Sequence, residues 1–420
     1  GIWDHNANQG NPSADGTPVV SGLKGRFRFG AALYQTNATQ EVNFGDRKIL
    51  SGTSTNNYYA NNGGWFVYPP PVGFRALTKE NVPDTEDKTG ITRENEGVAD
   101  LVWIKNRDQT DSHQWYDSIR GPLKEMHTDS TAQESTTVDG MQKFLKGGFA
   151  IEDDVSINTN AESYVSWMWH ANGGTTSANT DGSGATLAST IQANQTAGFS
   201  IVQVTAPGSP SGTYKIAHGL GAVPHWIIGK NLENSGGYNW TVYHHKVASD
   251  PATDFMRFNT SDAVTDNATV WGDTAPTNSV FTVGTGVPLI ANEKTIFYCW
   301  TSIEGYSKFG SYSGNNNADG AFIYTGFKPS LVIVKSLGGH TAYPFAMYDN
   351  ARNPFNPVSS LLEANRNVTE VTLDRVDFLS NGFKWRQSYA YSNDASYTYV
   401  YMAFAEHPFV GSGTNPVTAR

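Results

Sequence analysis

The sequence predicts an all-β protein: three tandem antiparallel β-sandwich units of jelly-roll-like shape, plus an extended N-terminal region. Only 16% of the residues are charged, below the roughly 25% of an ordinary soluble domain. Helical surfaces are usually covered by Lys and Glu, so a chain with few charges and 42 glycines favours sheets and turns. A phrase of sequence that occurs three times predicts the division into three units.

The repeated phrase is a turn, a run of aliphatic residues and tryptophan, and then a lysine. It reads GVADLVWIKN (97–106), HGLGAVPHWIIGKN (218–231) and TGFKPSLVIVKS (325–336). Each lysine is followed by an aromatic strand ending in Tyr, a Phe in a strand-like context and a dense aromatic run. The dense runs end at Trp169, Trp300 and Phe404. Four landmarks in one order, three times, indicate a repeat of roughly 100 residues, long enough for a core of its own.

Strands are predicted where β-branched and aromatic residues cluster between Gly, Pro, Asn and Asp. The run at 396–404 alternates as a half-buried antiparallel strand does. The best candidates for helical turns are SSLLEANRN (359–367) and, more weakly, GPLKEM (121–126). The lysine at each strand end is expected to be a solvated charge that discourages edge pairing. Cys299 is expected to be a small buried hydrophobe.

Composition shifts set the boundaries of the predicted segments. The triple proline at 69–71 stiffens the chain, and the stretch 173–194 is polar and of low complexity. The predicted segments are an extended N-terminal region (1–87), unit 1 (88–174), a polar linker (175–194), unit 2 (195–305), unit 3 (306–410) and a C-terminal strap (411–420).

Charge and cysteine content exclude several classes of function. The net charge is −10, which disfavours nucleic-acid binding, because that binding depends on Lys and Arg neutralising phosphates. The sequence has no run of 18 apolar residues, so membrane insertion is not expected. A single cysteine permits neither an intrachain disulfide nor a cluster of thiol ligands.

Candidate catalytic carboxylates lie at 152–154 and in the pairs Asp117/Glu125 and Glu370/Asp374. A glycosidase needs two acids about 5–9.5 Å apart across the scissile bond. Three adjacent acids usually mark a solvated loop, and the pairs have no further catalytic signature. The sequence therefore assigns no catalytic residue, and we expect a protein that is not an enzyme.

Candidate metal ligands are equally sparse. His244 and His245 are adjacent, and neighbours in a strand point to opposite faces, so they cannot chelate one ion together. The loops 179–184 and 315–320 contain Asn, Asp and Gly, which turn formation alone explains. Neither a metal ion nor another cofactor is predicted.

The residues of unit 3 resemble a repeated domain of structural proteins in tailed bacteriophages, including predicted tail fibres of phages of marine bacteria. The stretches that carry this resemblance are 306–336, MYDNARNPFNP (347–357), VDFLSNGFKWR (376–386) and YTYVYMAFAEHPF (397–409). Units 1 and 2 resemble the same module. Unit 2 departs at Tyr243-His244, where the others have Tyr-Asp, so a structural partner of that Asp must be replaced there.

The N-terminal region carries a second resemblance. EVNFGDR (41–47) and GWFVYPPPVGFRALTKENVP (64–83) are similar to the trailing part of a lectin-like, SPRY-type sandwich. The resemblance implies that region 1–87 is a partial lectin-like domain or an attachment segment.

The resemblance implies a virion protein of a tail fibre or another external appendage, which contacts the host surface as a homotrimer. Its expected partners are its own copies, other virion proteins and host cell-surface polysaccharide. Loop tyrosines offer flat apolar faces to sugar rings and a polar tip to hydroxyls. The candidate receptor-binding residues are Tyr58, Tyr59, Tyr238, Tyr389 and Tyr391.

Other interpretations of the same features stay open. The loop tyrosines also fit packing between units or between chains. The chain also fits a structural virion protein, such as a capsid fibre or tail connector, that binds only other virion proteins. A third possibility is an enzyme that trims host polysaccharide. If the protein instead attaches the particle to the host cell, binding would depend on many weak contacts that add through multivalency.

Overall fold

The computed structural model describes residues 98–171, 183–234, 236–287, 289–338 and 343–406, and the backbone of four further short strands. The chain divides into two compact bodies, Gly1–Asp87 and Lys88–Arg420. In the first body, β1 (Tyr58–Ala60) and β2 (Gly64–Phe66) form an antiparallel hairpin. Most of region 1–87 and the whole predicted strap 411–420 lie outside the described residues.

Unit 1 is built from two antiparallel sheets and one helical turn. Its elements are β3 (Lys88–Thr89), β4 (Leu101–Asn106), β5 (Gln114–Asp117), β6 (Lys124–His127), β7 (Ser135–Thr136), β8 (Met141–Leu145), β9 (Gly148–Ile151), α1 (Val155–Asn158) and β10 (Tyr164–Trp169). The strand orders are β10-β4-β5-β6-β7 and β3-β9-β8.

Unit 2 repeats this plan with extra strands at one edge. Its strands are β11 (Thr176–Ser177), β12 (Ser189–Asn194), β13 (Phe199–Thr205), β14 (Tyr214–Ala217), β15 (Trp226–Asn231), β16 (Thr241–His244), β17 (Asp254–Arg257), β18 (Thr265–Asp266), β19 (Val280–Val283) and β20 (Lys294–Trp300). The orders are β11-β12-β13-β20-β15-β16-β17-β18 and β14-β19. The sheet of unit 2 thus begins inside the segment predicted as a polar linker, because β12 pairs with β13.

Unit 3 forms one eight-stranded sheet, in which pairing between β25 and β26 links the two halves. Its strands are β21 (Ser307–Ser313), β22 (Phe322–Tyr324), β23 (Pro329–Ser336), β24 (Ala346–Asp349), β25 (Val358–Glu363), β26 (Val371–Leu379), β27 (Gly382–Trp385) and β28 (Thr398–Ala405). The order is β21-β28-β23-β24-β25-β26-β27-β22.

The three repeats share one strand register. The end of each dense aromatic run lies opposite the start of the repeated phrase: Trp169 pairs with Leu101, Trp300 with Trp226, and Phe404 with Leu331. The predicted all-β class with repeated antiparallel sandwich units is therefore confirmed.

The repeated phrase is continuously apolar because both faces of its strand are buried. In β4, Val102 and Ile104 belong to the core of unit 1, whereas Leu101 and Trp103 face a core shared with the other units. The strands β15 and β23 alternate in the same way between their own unit core and the shared core.

The shared core joins all three units of the Lys88–Arg420 body. The Trp169 ring lies 6.0 Å from the ring of Trp300 and 5.5 Å from the ring of Phe404, so the equivalent residues of the three repeats meet. Trp115 of unit 1 contacts Trp240 and Tyr298 of unit 2 edge-on. Each buried aromatic side chain removes about 150–250 Å² from water, so this core dominates the contacts between units.

A buried charged triad supports two of the boundaries between units. In unit 1, the Arg120 side chain pairs with Asp117 and with Glu134. The distance between Arg120 Nη1 and Glu134 Oε2 is 3.2 Å. Asp117 also accepts a 2.6 Å hydrogen bond from the hydroxyl of Tyr298 in unit 2. An isolated buried charge is costly, so the three members of the triad depend on one another.

Unit 3 carries the same triad at the equivalent positions. Arg352 lies 2.6 Å from Asp349 and 2.9 Å from Glu370, and its guanidinium carbon lies 5.9 Å from the ring of Trp167 in unit 1. Glu370 also accepts two hydrogen bonds, at 2.8 and 2.9 Å, from Arg107 of unit 1. Burial alone would raise the pKa of Glu370, but these guanidinium groups lower it to about 2.

Unit 2 replaces the whole triad with neutral residues. His244 stands where the other units have Asp, Val247 where they have Arg, and Val264 where they have Glu. The His244 Nδ1 accepts a hydrogen bond from the backbone N–H of Lys246, and Nε2 lies 3.4 Å from the carbonyl of Tyr401 in unit 3. The structure explains why unit 2 has Tyr243-His244 where the other units have Tyr-Asp. All three positions of the triad change together in unit 2, so no buried charge is left without a partner.

The prediction that the repeated lysines are solvated was wrong. Lys105, Lys230 and Lys335 are at most 1% exposed. Lys230 donates to the carbonyl of Thr131 in unit 1, and Lys335 to that of Ser261 in unit 2, at 3.1 and 3.0 Å. Burial lowers the pKa of each lysine to about 8. The strand ends lie at the boundaries between units, a location that the sequence of one strand does not reveal.

The two predicted helical segments were also wrong. Residues 359–367 begin inside β25, and 121–126 lead into β6. Tertiary pairing with β24 and β5 overrides the local preference. The one helix of the described residues is α1, where Asp154 accepts a 2.7 Å hydrogen bond from the backbone of Ser156.

Replacing Trp300 by Ala is expected to lower the free energy of unfolding by about 3–5 kcal/mol, because it opens a cavity where the three units meet. Chemical denaturation monitored by circular dichroism measures the change. Phe355→Ala is the control: Phe355 is 82% exposed, and its loss should change stability by no more than about 0.5 kcal/mol. Similar values for both variants would contradict the shared core.

The triad gives a second prediction. Arg120→Val alone should cost about 3–5 kcal/mol of stability, because it leaves the buried Asp117 unpaired. The quadruple variant Asp117→His, Arg120→Val, Glu134→Val and Tyr298→Met reproduces the neutral boundary between units 2 and 3. It should be more stable than Arg120→Val in the same denaturation assay. A quadruple variant less stable than the single one would refute the interdependence of these residues.

Candidate functional site

A cluster of tyrosines lies on unit 3, on the loop between β27 and β28 and on the segment before β24. The rings of Tyr389 and Tyr391 are 4.6 Å apart, that of Tyr343 lies 5.7 Å from Tyr391, and that of Tyr397 lies 5.7 Å from Tyr343. All four side chains are half-buried, so each offers part of its ring to solvent. We refer to these four residues as the tyrosine cluster.

The loop that carries the cluster is held by buried polar groups. The Asn393 side-chain amide donates to Asn315 Oδ1 and to the carbonyls of Asn317 and Gln387, at 2.9–3.0 Å. Its own oxygen accepts a 3.0 Å hydrogen bond from the backbone of Asn315. The buried hydroxyl of Tyr399 donates to the carbonyl of Ala390 at 2.9 Å. A loop fixed in this way presents its aromatic rings with little loss of entropy on binding.

Arg375 lies beneath the cluster and is only 2% exposed. Its guanidinium carbon is 3.7 Å from the centroid of Tyr389 and 5.9 Å from that of Tyr391. Among the described residues, its Nε and Nη1 have no hydrogen-bond partner. A buried cation stacked on an aromatic face gains a cation–π interaction, but these two donors remain unsatisfied.

The groups around Arg375 do not neutralise it directly. Glu363 is buried, and its carboxylate pairs with Arg366 at 2.8 Å. Burial raises the pKa of Glu363, and the charges of Arg366 and Arg375 oppose this rise. Burial also raises the pKa of Tyr348 to about 12, and the neighbouring Arg375 opposes this rise. The pKa of Tyr391 is raised to about 12, by burial first and then by its hydrogen bond with Tyr389.

The structure brings together two of the five tyrosines that the sequence singles out. Tyr389 and Tyr391 belong to the cluster, whereas Tyr238 lies in unit 2, before β16. Tyr58 and Tyr59 are on strand β1 of the first body rather than in a loop, and their side chains lie outside the described residues. Sequence reasoning missed Tyr343, Tyr397 and Arg375. The repeat offers one signal for Tyr343, because Tyr238 occupies the equivalent position in unit 2.

Three of the four carboxylates in the candidate pairs have structural partners. Asp117 pairs with Arg120, Glu125 accepts a 2.9 Å hydrogen bond from Tyr116, and Glu370 pairs with two arginines. The side chain of Asp374 lies outside the described residues. In the loop 315–320, Asp319 pairs with Lys384 at 2.5 Å. Most of the loop 179–184 lies outside the described residues.

The adjacent histidines do not point apart as expected, because β16 ends at His244 and His245 is already in a turn. Their rings lie 5.1 Å apart, and the ring of His225 lies 4.2 Å from that of His245. His225 accepts a 2.9 Å hydrogen bond from Ser302, and His245 lies 3.2 Å from the carbonyl of Phe309. In the part of the chain that the structure describes, no group of three or more His, Cys, Asp or Glu residues could hold a metal ion.

Two further features lie in the interior of the three units. Cys299 is buried, as expected, and burial raises the pKa of its thiol. A small void in the shared core is lined by aromatic and aliphatic residues of all three units, including Trp115, Trp226 and Met402, and presents no polar surface. The one helix of the described residues, α1, is too short to cross a bilayer.

Fold and site together define an all-β protein of three sandwich units around one aromatic core, with a tyrosine cluster on the third unit. Residues 85–408 match the family described as "Domain of unknown function (DUF7483)", so the chain belongs to this family. The match spans the three units and begins close to the boundary between the two bodies. No curated protein and no solved structure matches the chain.

The buried histidines predict an acid-sensitive fold. Burial lowers the pKa of His218 and of His245 to about 4, and that of His244 well below its usual range. The unfolded chain binds protons near pH 6.5, before the folded chain does, so stability should fall as the pH drops from about 6.5 towards 4. Thermal unfolding between pH 8 and pH 4.5 measures this. His245→Gln should flatten the dependence, because it removes one of the groups whose pKa is lowered. An unaltered profile in His245→Gln would contradict the assignment.

Proposed function

We propose that this protein is part of an external appendage of a tailed bacteriophage and attaches the particle to polysaccharide on the host cell surface. The observation that carries the proposal is the tyrosine cluster: three half-buried rings on a loop with a fixed backbone, and the ring of Tyr343 beside them. Flat aromatic faces stack on the apolar faces of sugar rings, and phenol hydroxyls bond to sugar hydroxyls. The resemblance of units 1 to 3 to phage structural proteins supplies the biological setting.

The expected homotrimer remains a prediction, and one physical reason for it is weaker. One reason to expect a trimer is the need to bury charge-poor strands. In this chain the strands β4, β15 and β23 bury that surface against one another through the shared core. Trimer formation would then involve other surfaces, and multivalency from several chains would still strengthen weak sugar contacts.

A structural virion protein is the second candidate, and one observation favours it. Phe322 and Tyr324 are 45% and 59% exposed on β22, the edge strand of the unit 3 sheet. An exposed edge strand with apolar side chains is suited to pairing with another protein chain. In this alternative the protein would bind other virion proteins only. The third interpretation, a polysaccharide-trimming enzyme, gains no support from the carboxylates described above.

The test is adsorption of the fluorescently labelled protein to a panel of bacterial cells, before and after periodate oxidation of surface glycans. Binding that is lost on oxidation is the expected result. The double variant Tyr389→Ala, Tyr391→Ala should weaken adsorption about tenfold or more, because each stacking contact is worth about 0.5–1.5 kcal/mol. Tyr324→Ala is the matched control, since it removes an exposed tyrosine of the same unit outside the cluster.

Three outcomes separate the candidates. Adsorption that survives oxidation, or that the double variant retains in full, would count against polysaccharide binding at the cluster. Absence of adsorption to all of the cells tested would favour the structural protein. Release of reducing sugar from the cells would favour the enzyme.

A further inference from the structure

We propose that the tyrosine cluster is selective for acidic polysaccharide, and that Arg375 binds the carboxylate of a uronic-acid residue. This inference rests on the proposed function and names the chemical class of its ligand. The structural basis is a buried arginine whose Nε and Nη1 lack acceptors while its guanidinium lies directly under Tyr389.

A packing role alone does not account for Arg375. Burying a guanidinium without acceptors is unfavourable, and an aliphatic side chain of similar length would fill the same volume at lower cost. Elsewhere in the described residues, the buried Arg120 and Arg352 each pair with two carboxylates. Arg375 has instead a tyrosine ring on one face and two free donors.

The two N–H donors of Arg375 without acceptors indicate the chemical class of the ligand. An N–H of a guanidinium bonds best to an anionic oxygen, and planar carboxylates match its geometry. Glu363 does not fill this role, since it pairs with Arg366. An acceptor from outside the chain would therefore complete the site, and a carboxylate on a sugar is the anion that a surface of tyrosines can hold by its ring.

Access to Arg375 requires only a side-chain movement. Tyr389 is half-exposed and covers the guanidinium, while hydrogen bonds from Ser392 and Asn393 to its carbonyl fix its backbone. Rotation of the Tyr389 ring exchanges a cation–π contact for a charge-assisted hydrogen bond, which is the stronger interaction. The displaced ring stays beside Tyr391, where it can stack on the sugar.

The test compares a glucuronic-acid oligosaccharide with its carboxyl-reduced, neutral counterpart, titrated into the full chain by calorimetry. We expect the acidic ligand to bind at least about tenfold more tightly. Arg375→Met should abolish this preference, so that the acidic and the neutral ligand bind this variant with the same affinity. Arg386→Met is the matched control, because Arg386 is an exposed arginine on the same loop whose partner is Asp377 at 3.5 Å.

Each outcome decides the proposal. Equal affinities of the wild-type chain for the two ligands overturn it, and this comparison suffices if Arg375→Met fails to fold. A preference that persists in folded Arg375→Met also overturns it, as does tighter binding of a sulfated than of a carboxylated oligosaccharide. If neither ligand binds but the protein still adsorbs to cells through glycans, the acidic-sugar inference fails and the attachment function stands. If adsorption to cells is also absent, the proposed function fails with it.

Discussion

The shared aromatic core is the interaction on which the rest of the structure depends. Trp169, Trp300 and Phe404 occupy the same register position in three repeats, and they meet because the strands that precede them are apolar on both faces. Each sandwich alone would expose its second apolar face to water, so no unit completes its burial without the other two. The Lys88–Arg420 body is therefore a single cooperative assembly, although its sequence is a tandem array.

Polar contacts between units give this assembly its specificity. The hydroxyl of Thr128 reaches the carbonyl of Ala364, the Trp240 indole N–H reaches that of His127, and the Asn365 amide reaches the Ser261 hydroxyl. These contacts link every pair of units. Apolar packing is non-directional, so hydrogen bonds and buried ion pairs define how the units meet. Unit 2 has neutral residues at all three positions of the triad. Losing one member of a buried triad would leave the remaining charges unpaired, so the three are replaced together.

The candidate site draws on this rigidity. Its loop lies between two strands of unit 3, and its backbone bonds to buried side chains such as Asn393 and Tyr399. Gly338 leaves the space that the Tyr397 ring occupies, since a Cβ there would overlap the ring. A firm scaffold with a few exposed aromatic rings is suited to weak, repeated contacts with a polymer. If the proposed function is correct, the buried charge of Arg375 would make this surface selective among sugars.

The sequence by itself determined the fold class, the threefold repeat and the order of landmarks within it, because hydrophobic alternation and turn residues are local properties. It also identified Tyr389 and Tyr391 as loop aromatics. Only the tertiary structure decided that the units share one core, that Lys105 and its counterparts are buried, and that residues 359–363 extend as a strand. It alone placed Arg375, which precedes the loop tyrosines by more than ten residues, beneath Tyr389. These features depend on contacts between segments far apart in the chain, which no local pattern of residues encodes.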